Sequence, residues 1–211
     1  VFLDGREPVA VAEPGAGPNG MTVGPDGRLW ITQNGGVAVP SRSNRHEKPS
    51  LQVWDPDRDD QPTTVLIDDV TAPSDCAFGP DGALWFTLNQ ADAIGRLKTS
   101  GALTTRELPT RGAGPVGIAA THDDAVWFTE VRADKVGRIP MDEAIQELDL
   151  PGRPHAVVAD PTGGVWVSLW EADQVARVSA DGEVATIDLP AGSEPHGMAV
   201  AEDGALWVAL E

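Results

Sequence analysis

The sequence has a single cysteine, Cys76, among 211 residues, so no disulfide can form within the chain. Cys76 lies in a short apolar stretch that predicts a buried strand, and we expect it to be an inert core thiol. No apolar run approaches the roughly 18 residues of a membrane-spanning helix. No secretory signal is visible. We therefore expect no membrane partner, and the sequence leaves the compartment open, with the cytoplasm as the default.

Positive charge is also scarce. The chain has 15 Lys and Arg against 33 Asp and Glu, which gives a formal net charge of -18. Such a surface repels nucleic acid phosphates and anionic membranes, so we expect no nucleic acid partner and a monomeric protein. The length suffices for one domain, residues 1–211, with a real core. The 23 Gly and 18 Pro indicate turn-rich β structure rather than disorder.

Five short motifs recur along the chain, and each places a tryptophan at the same point. They are PNGMTVGPDGRLWIT (from Pro18), PSDCAFGPDGALWFT (Pro73), PVGIAATHDDAVWFT (Pro115), PHAVVADPTGGVWVS (Pro154) and PHGMAVAEDGALWVA (Pro195). The tryptophans follow one another at 55, 42, 39 and 41 residues. A spacing of about 40 residues without a helical apolar pattern predicts an all-β propeller with blades of four strands.

Each motif predicts a hairpin whose turn needs the positive φ that Gly supplies, as in Pro-Asp-Gly. In the second repeat the four predicted strands are residues 76–78, 84–87, 93–97 and 103–108. We expect the tryptophans to pack between neighbouring blades. The first repeat is longer because of residues 35–50, which contain His46. This loop is either a wall of a site or a plain insertion.

The last motif supplies only two strands of a blade. Residues 1–14 supply two strands without a preceding hairpin, and together these would complete a fifth blade and remove the open edges. The alternative is that the chain is a fragment of a six- or seven-bladed propeller.

The residue after each motif proline should face one end of the central channel, because the innermost strand of a blade begins near the axis. These residues are Asn19, Ser74, Val116, His155 and His196. Two imidazoles meeting near one axis indicate a site, since unpaired buried polar groups are costly. The alternative is that a wet channel mouth tolerates them. Arg153 and Glu194 precede the last two prolines.

Glu194 and His196 are two residues apart on an extended segment, so we expect both on the same side. A histidine there is a metal ligand, a base or a hydrogen-bond donor. A carboxylate ligand beside a general base would suit removal of a proton next to a carbonyl.

The sequence from Pro73 onward resembles the virginiamycin B lyases, also called streptogramin lyases. The pattern WFTE, ADKVGRI and ELDLP of residues 127–151 carries the resemblance, together with EPHG at residues 194–197. The resemblance implies a seven-bladed propeller and a magnesium-dependent elimination that opens the ester-closed ring of type B streptogramins. It further implies His196 as general base and Glu194 as metal ligand. We assign His155, Asn19 and Arg153 to substrate binding.

The chain departs from this pattern near its last tryptophan, Trp207. The resemblance implies a second carboxylate ligand three residues later, where WFTE has its Glu, and Leu210 stands there. Glu211 is adjacent but is predicted to point to the opposite face of the strand. The sequence therefore predicts weakened metal binding.

The front of the chain has a second likeness. GPNGMTVGPDGRLWITQNGG (residues 17–36) resembles the gluconolactonase/regucalcin propellers, which implies a calcium- or zinc-dependent lactone hydrolase with Asn19 at a ligand position. A non-catalytic propeller that binds a partner is the third alternative. We take a carbon–oxygen lyase acting on a small cyclic ester or lactone as the leading interpretation.

Overall fold

The computed structural model describes residues 13–15, 17–36, 48–66, 70–141 and 143–211. Residues 1–12, which carry most of the predicted N-terminal strands, and His46 of the loop 35–50 lie outside these ranges. Closure of the last blade by those strands therefore stays a prediction.

Within these ranges, eighteen strands form four antiparallel sheets of four strands and one of two strands, each in simple sequence order. Blades 1 and 2 consist of β1 Pro18–Val23, β2 Leu29–Gln33, β3 Ser50–Trp54, β4 Thr63–Leu66, β5 Pro73–Phe78, β6 Leu84–Leu88, β7 Ala93–Leu97 and β8 Leu103–Glu107. Blades 3 and 4 consist of β9 Pro115–Thr121, β10 Ala125–Glu130, β11 Lys135–Pro140, β12 Gln146–Asp149, β13 Pro154–Ala159, β14 Val165–Leu169, β15 Gln174–Val178 and β16 Val184–Asp188. The fifth unit is the hairpin β17 Pro195–Val200 and β18 Leu206–Leu210.

This arrangement confirms the predicted all-β propeller, with five repeats visible in the chain. The first strands of successive blades, β1, β5, β9, β13 and β17, lie side by side and line the channel. Among the described residues the helical content is one 3-10 turn, Trp170–Ala172, and no helix there is long and apolar enough to cross a membrane.

The core lies between blades. Trp85 and Trp127 are 1% and 0% exposed, and each packs in a cluster that joins its own blade to the next one. Trp30 and Trp166 are half-buried. The expectation that every motif tryptophan is covered by a neighbouring blade is wrong for Trp207, which is 69% exposed. No described residue packs over it as a following blade would.

A buried hydroxyl joins each blade to the next at the channel. Two residues after each of the first four motif tryptophans stand Thr32, Thr87, Thr129 and Ser168, all 0% exposed. Each accepts a hydrogen bond from a backbone N–H of the first strand of its own blade. Each also donates to a backbone carbonyl of the first strand of the next blade. We call these four groups the hydroxyl relay.

Gly137 in β11 lies opposite Phe128 in β10, whose ring is 0% exposed. A Cβ atom at Gly137 would overlap the Phe128 ring, and the same relation holds between Gly95 and Phe86 in blade 2. The missing side chain therefore makes room for an aromatic ring that fills the core.

Gly137→Ala should destabilise the protein by about 1–3 kcal/mol, because a fully buried ring has no free space to move into. Gly197→Ala is the matched control, since its new Cβ would approach nothing closer than Ala209 at 4.0 Å. Urea unfolding of both variants measures the difference. Equal stabilities would show that the ring adapts and that Gly137 is not required by packing.

Candidate functional site

One cavity of about 550 Å³ lies at one end of the channel and receives two residues from every repeat. The first is the residue after the motif proline, and this set is Asn19, Ser74, Val116, His155 and His196. The second stands four residues after the motif tryptophan, and this set is Asn34, Asn89, Val131, Trp170 and Glu211. The cavity size is typical of small-molecule sites.

The two imidazoles of the cavity are in contact. The ring centroids of His155 and His196 lie 3.9 Å apart, with an angle of 39° between the ring planes. They come from the same position of β13 and β17, which lie side by side. The repeat therefore brings together two histidines that are 41 residues apart in the sequence.

Burial, the neighbouring His196 and Arg153 together lower the pKa of His155 to about 4. His155 is therefore neutral at physiological pH, because burial and nearby positive charge both disfavour the imidazolium. A neutral imidazole both donates and accepts hydrogen bonds, which suits contact with a substrate amide or ester.

Arg153 and Trp170 form the wall beside the histidines. The guanidinium carbon of Arg153 lies 4.8 Å from the Trp170 ring centroid, and its Nη1 donates to Glu171 Oε1 at 2.9 Å. Both residues also line a neighbouring pocket of about 330 Å³. This wall therefore offers a cation and an aromatic face to a bound molecule.

The rest of the cavity lining, apart from Glu211, comes from blades 1 to 3 and includes neutral polar groups together with the cation of Arg132. Asn19 Nδ2 donates to Ser74 Oγ at 2.9 Å, and Asn89 Nδ2 donates to the Pro115 carbonyl at 3.2 Å. Arg132 donates to the Asn89 carbonyl at 3.1 Å. Of the residues assigned to substrate binding, Asn19, Arg153 and His155 thus share one cavity with His196. Their roles stay predictions.

Glu194 lies elsewhere. It is exposed and lines the neighbouring pocket together with Arg153, rather than the cavity that holds His196. Its backbone has φ +41°, and its N–H donates to Asp173 Oδ1 at 2.9 Å. Arg153 has the same arrangement one repeat earlier, with φ +59° and a 2.8 Å bond to Asp134 Oδ1. A turn aspartate of the preceding blade therefore holds each of these residues in the left-handed region.

The expectation about the residues after Trp207 needs correction. Leu210 pairs with Pro195 and is not part of the cavity, whereas Glu211 lines it. The position three residues after the tryptophan is buried in the first four repeats, as Gln33, Leu88, Glu130 and Leu169. The next residue faces the channel, because side chains alternate along a strand. Glu211 and Trp170 are thus site residues that the motif comparison missed by one position.

Among the described residues, no group of three or more His, Cys, Asp and Glu side chains is close enough to hold a metal. Glu194 and Glu211 nevertheless lie at the adjacent ends of one hairpin, because Pro195 pairs with Leu210 and the Glu211 N–H donates to the Ser193 carbonyl at 3.2 Å. Magnesium commonly uses one or two protein carboxylates and keeps several waters. The two carboxylates therefore offer the type of oxygen ligand that magnesium prefers.

Glu130 is an unusual residue at the buried position of the third repeat. It is 0% exposed, and neither carboxylate oxygen has a hydrogen-bond partner among the residues described here. Burial first, and then the neighbouring Glu147 and Asp92, raise the pKa of Glu130 to about 8, although Lys135 opposes the shift. The folded protein therefore favours the protonated acid, which resembles the amide of Gln33 at the same position of the first repeat.

Because the folded pKa of Glu130 lies above the ordinary value of 4.5, the folded state binds this proton more tightly than the unfolded state does. The free energy of unfolding should fall as pH rises from about 4.5 to about 8, by up to about 1.4 kcal/mol per pH unit, and then level off. Glu130→Gln should flatten this dependence. Urea unfolding at pH 5, 6.5 and 8 tests it, and parallel curves for the two proteins would contradict it.

Comparison with known proteins places this chain in a family. A sequence model of the virginiamycin B lyase family matches residues 64–211. Virginiamycin B lyase of Mycolicibacterium smegmatis is 76% identical over 109 residues, which are 52% of this chain and 39% of that protein. The homologue of Nocardia farcinica is 41% identical over 104 residues, or 48% of this chain and 31% of that protein. The matched segments therefore represent less than half of these relatives.

Solved structures agree. A streptogramin B lyase structure superposes with a TM-score of 0.80 at 34% identity, covering 94% of this chain and 63% of that one. A catalytically inactive histidine-to-alanine variant of virginiamycin B lyase from Staphylococcus aureus, solved with quinupristin, gives 0.80 at 32% identity, covering 94% of this chain and 64% of that one. A Xanthomonas campestris gluconolactonase gives 0.68 at 17% identity, over 92% of this chain and 69% of that one, which is a likeness of fold alone.

Proposed function

This chain belongs to the virginiamycin B lyase family, and from that membership we propose that it is a carbon–oxygen lyase that opens the ring of a cyclic ester or depsipeptide by elimination. The observation that carries the proposal is the contact between His155 and His196, 3.9 Å apart on the wall of a cavity about 550 Å³ in volume. For the virginiamycin B lyase of Staphylococcus aureus, a structure with quinupristin was obtained with a catalytically inactive variant in which one histidine is replaced by alanine.

In the proposed reaction His196 accepts a proton from a carbon next to a carbonyl. The electrons of that C–H bond form a double bond to the neighbouring carbon, whose bond to the ester oxygen breaks. The ester leaves as a carboxylate, so the ring opens without addition of water. A neutral imidazole suits this role because one ring nitrogen has a free lone pair that can accept the proton.

His155 is proposed to hold the substrate, because its low pKa keeps it neutral and able to hydrogen-bond a carbonyl. Trp170 and Arg153 would cover an aromatic or polar substituent on the same wall, and Asn19 would contact the ring from the part of the lining that blade 1 contributes. These contacts orient the scissile bond toward His196.

A magnesium ion would be held by Glu194 and Glu211, completed by water and by the substrate. When bound, it would polarise the carbonyl next to the carbon that loses its proton. This assignment replaces Leu210 by Glu211 as the second carboxylate position, and it is supported by the meeting of the two glutamates at one hairpin end.

His196→Ala should lower kcat for an ester-closed cyclic depsipeptide by about 10²–10⁴-fold, the usual contribution of a general base. His155→Ala should mainly raise KM, because it removes a binding contact. Steady-state kinetics measure both variants. Thr110→Ala, at a hydroxyl that bonds Glu147 away from the cavity, is the matched control and should keep wild-type kinetics.

Mass spectrometry of the product separates the candidate functions. Elimination leaves the mass of the substrate unchanged and creates a double bond, whereas a gluconolactonase-like enzyme, with calcium in place of magnesium, adds one water. A product heavier by one water would overturn the lyase proposal. Absence of turnover in both assays, with binding retained, would favour a binding module.

Glu211→Gln should weaken magnesium binding several-fold or abolish it, because a neutral amide oxygen replaces a charged ligand. Leu210→Glu should leave the affinity unchanged, because that position does not line the cavity. Calorimetric titration of magnesium into the two variants provides the comparison. Tighter binding by Leu210→Glu would restore Leu210 as the ligand position.

A further inference from the structure

We propose that Thr129 and Ser168 are positioning residues that set the places of His155 and His196 through hydrogen bonds to their backbone carbonyls. The inference rests on the proposed function only for the roles of His155 and His196 in the reaction. It concerns the two members of the hydroxyl relay whose acceptors are the histidines of the cavity.

Each histidine lies at a gap in the pairing of its own hairpin. The register of β13 with β14 shifts between Pro154 and Val157, and that of β17 with β18 shifts between Pro195 and Met198. His155 and His196 fall inside these irregular steps. The regular ladder to the second strand therefore does not fix their backbone there.

The hydroxyl relay provides hydrogen bonds to these segments from the preceding blade. Thr129 in β10 accepts from the Gly117 N–H at 2.9 Å and donates to the His155 carbonyl at 2.6 Å. Thr129 is 0% exposed, so water cannot replace this bond. Because Thr129 belongs to blade 3, the place of His155 in blade 4 depends on its neighbour.

Ser168 repeats the arrangement one blade later. Its Oγ accepts from the Ala156 N–H at 2.8 Å and donates to the His196 carbonyl at 2.9 Å. Ala156 directly follows His155, so Ser168 contacts the backbone beside one histidine and the backbone of the other. One hydroxyl therefore links the two imidazole-bearing segments, and the 3.9 Å contact between their rings depends on it.

The other two relay residues provide an internal control. Thr32 donates to the Ser74 carbonyl at 2.8 Å and Thr87 donates to the Val116 carbonyl at 2.7 Å. Both are as buried as Thr129 and Ser168, but neither acceptor residue is a histidine. Loss of either hydroxyl should cost similar stability without moving the imidazole pair.

The test compares Thr129→Val and Ser168→Ala with Thr32→Val and Thr87→Val in the full chain. The imidazole Cε1–H signals of His155 and His196 report their separation through ring-current shifts, independently of any substrate. We expect these signals to move in the first two variants and to stay in place in the two controls. Thr129→Ser and Ser168→Thr keep a hydroxyl and should restore the wild-type signals.

Turnover of the cyclic depsipeptide, normalised to folded protein, gives the second measurement. Ser168→Ala should lower kcat about 10-fold with little change in KM, and Thr129→Val should raise KM several-fold, since small misplacements of reacting groups cost up to about 10²-fold. Ser168→Thr should recover kcat.

Unmoved imidazole signals in Thr129→Val and Ser168→Ala would overturn the inference whatever the activity. Equal movement in all four relay variants would overturn it as well, because it would show a general loss of packing. Movement confined to the Thr129 and Ser168 variants, in a protein whose wild type turns over no ester, would support the positioning and count against the proposed function.

Discussion

The structure depends on a hydrogen bond that passes from one blade to the next. A strand that starts at a channel has its first backbone groups at an irregular step, and these groups are buried away from water. Leaving them unpaired would cost about 1–3 kcal/mol each. The hydroxyls of Thr32, Thr87, Thr129 and Ser168 satisfy an N–H in their own blade and a carbonyl in the following one. The same hydrogen bonds therefore hold neighbouring blades together and set the shape of the cavity.

Three turn aspartates hold the residues that lead into these strands. Asp92, Asp134 and Asp173 accept hydrogen bonds from the residues that precede the motif prolines, namely Gly114, Arg153 and Glu194. The last two are non-glycine residues at positive φ, a conformation that costs free energy unless the surroundings impose it. Such residues cluster at functional sites, and here they flank the two histidines.

The periodicity of about 40 residues was sufficient to predict the strands, the propeller and the five positions that face the channel end, because strand alternation and turn chemistry are local properties. It could not place Glu194, whose direction is set by a bond to Asp173 rather than by the alternation of an extended strand. Glu211 was missed by one position, because the resemblance assigns the second carboxylate ligand to the Glu position of WFTE, where Leu210 stands. Glu130, which occupies that position in the third repeat, is fully buried between blades.

The burial of the motif tryptophans shows a second limit of prediction from the sequence. Similar motifs predict similar burial, yet Trp207 is 69% exposed and Trp166 is half-buried where Trp127 is fully covered. A repeat specifies its own hairpin but not its neighbour. Burial at a blade interface is therefore a property of pairs of repeats.

Each repeat contributes two side chains to the cavity wall, and we call each such pair a sector. The backbone of four of the five sectors is held by a hydroxyl that does not face the cavity. The four relay hydroxyls that hold the frame are thus different residues from the side chains that line the cavity. A substitution at Val131 alters one sector without removing a hydrogen bond of the frame. For the proposed lyase, this division allows the selectivity of the cavity to change one sector at a time.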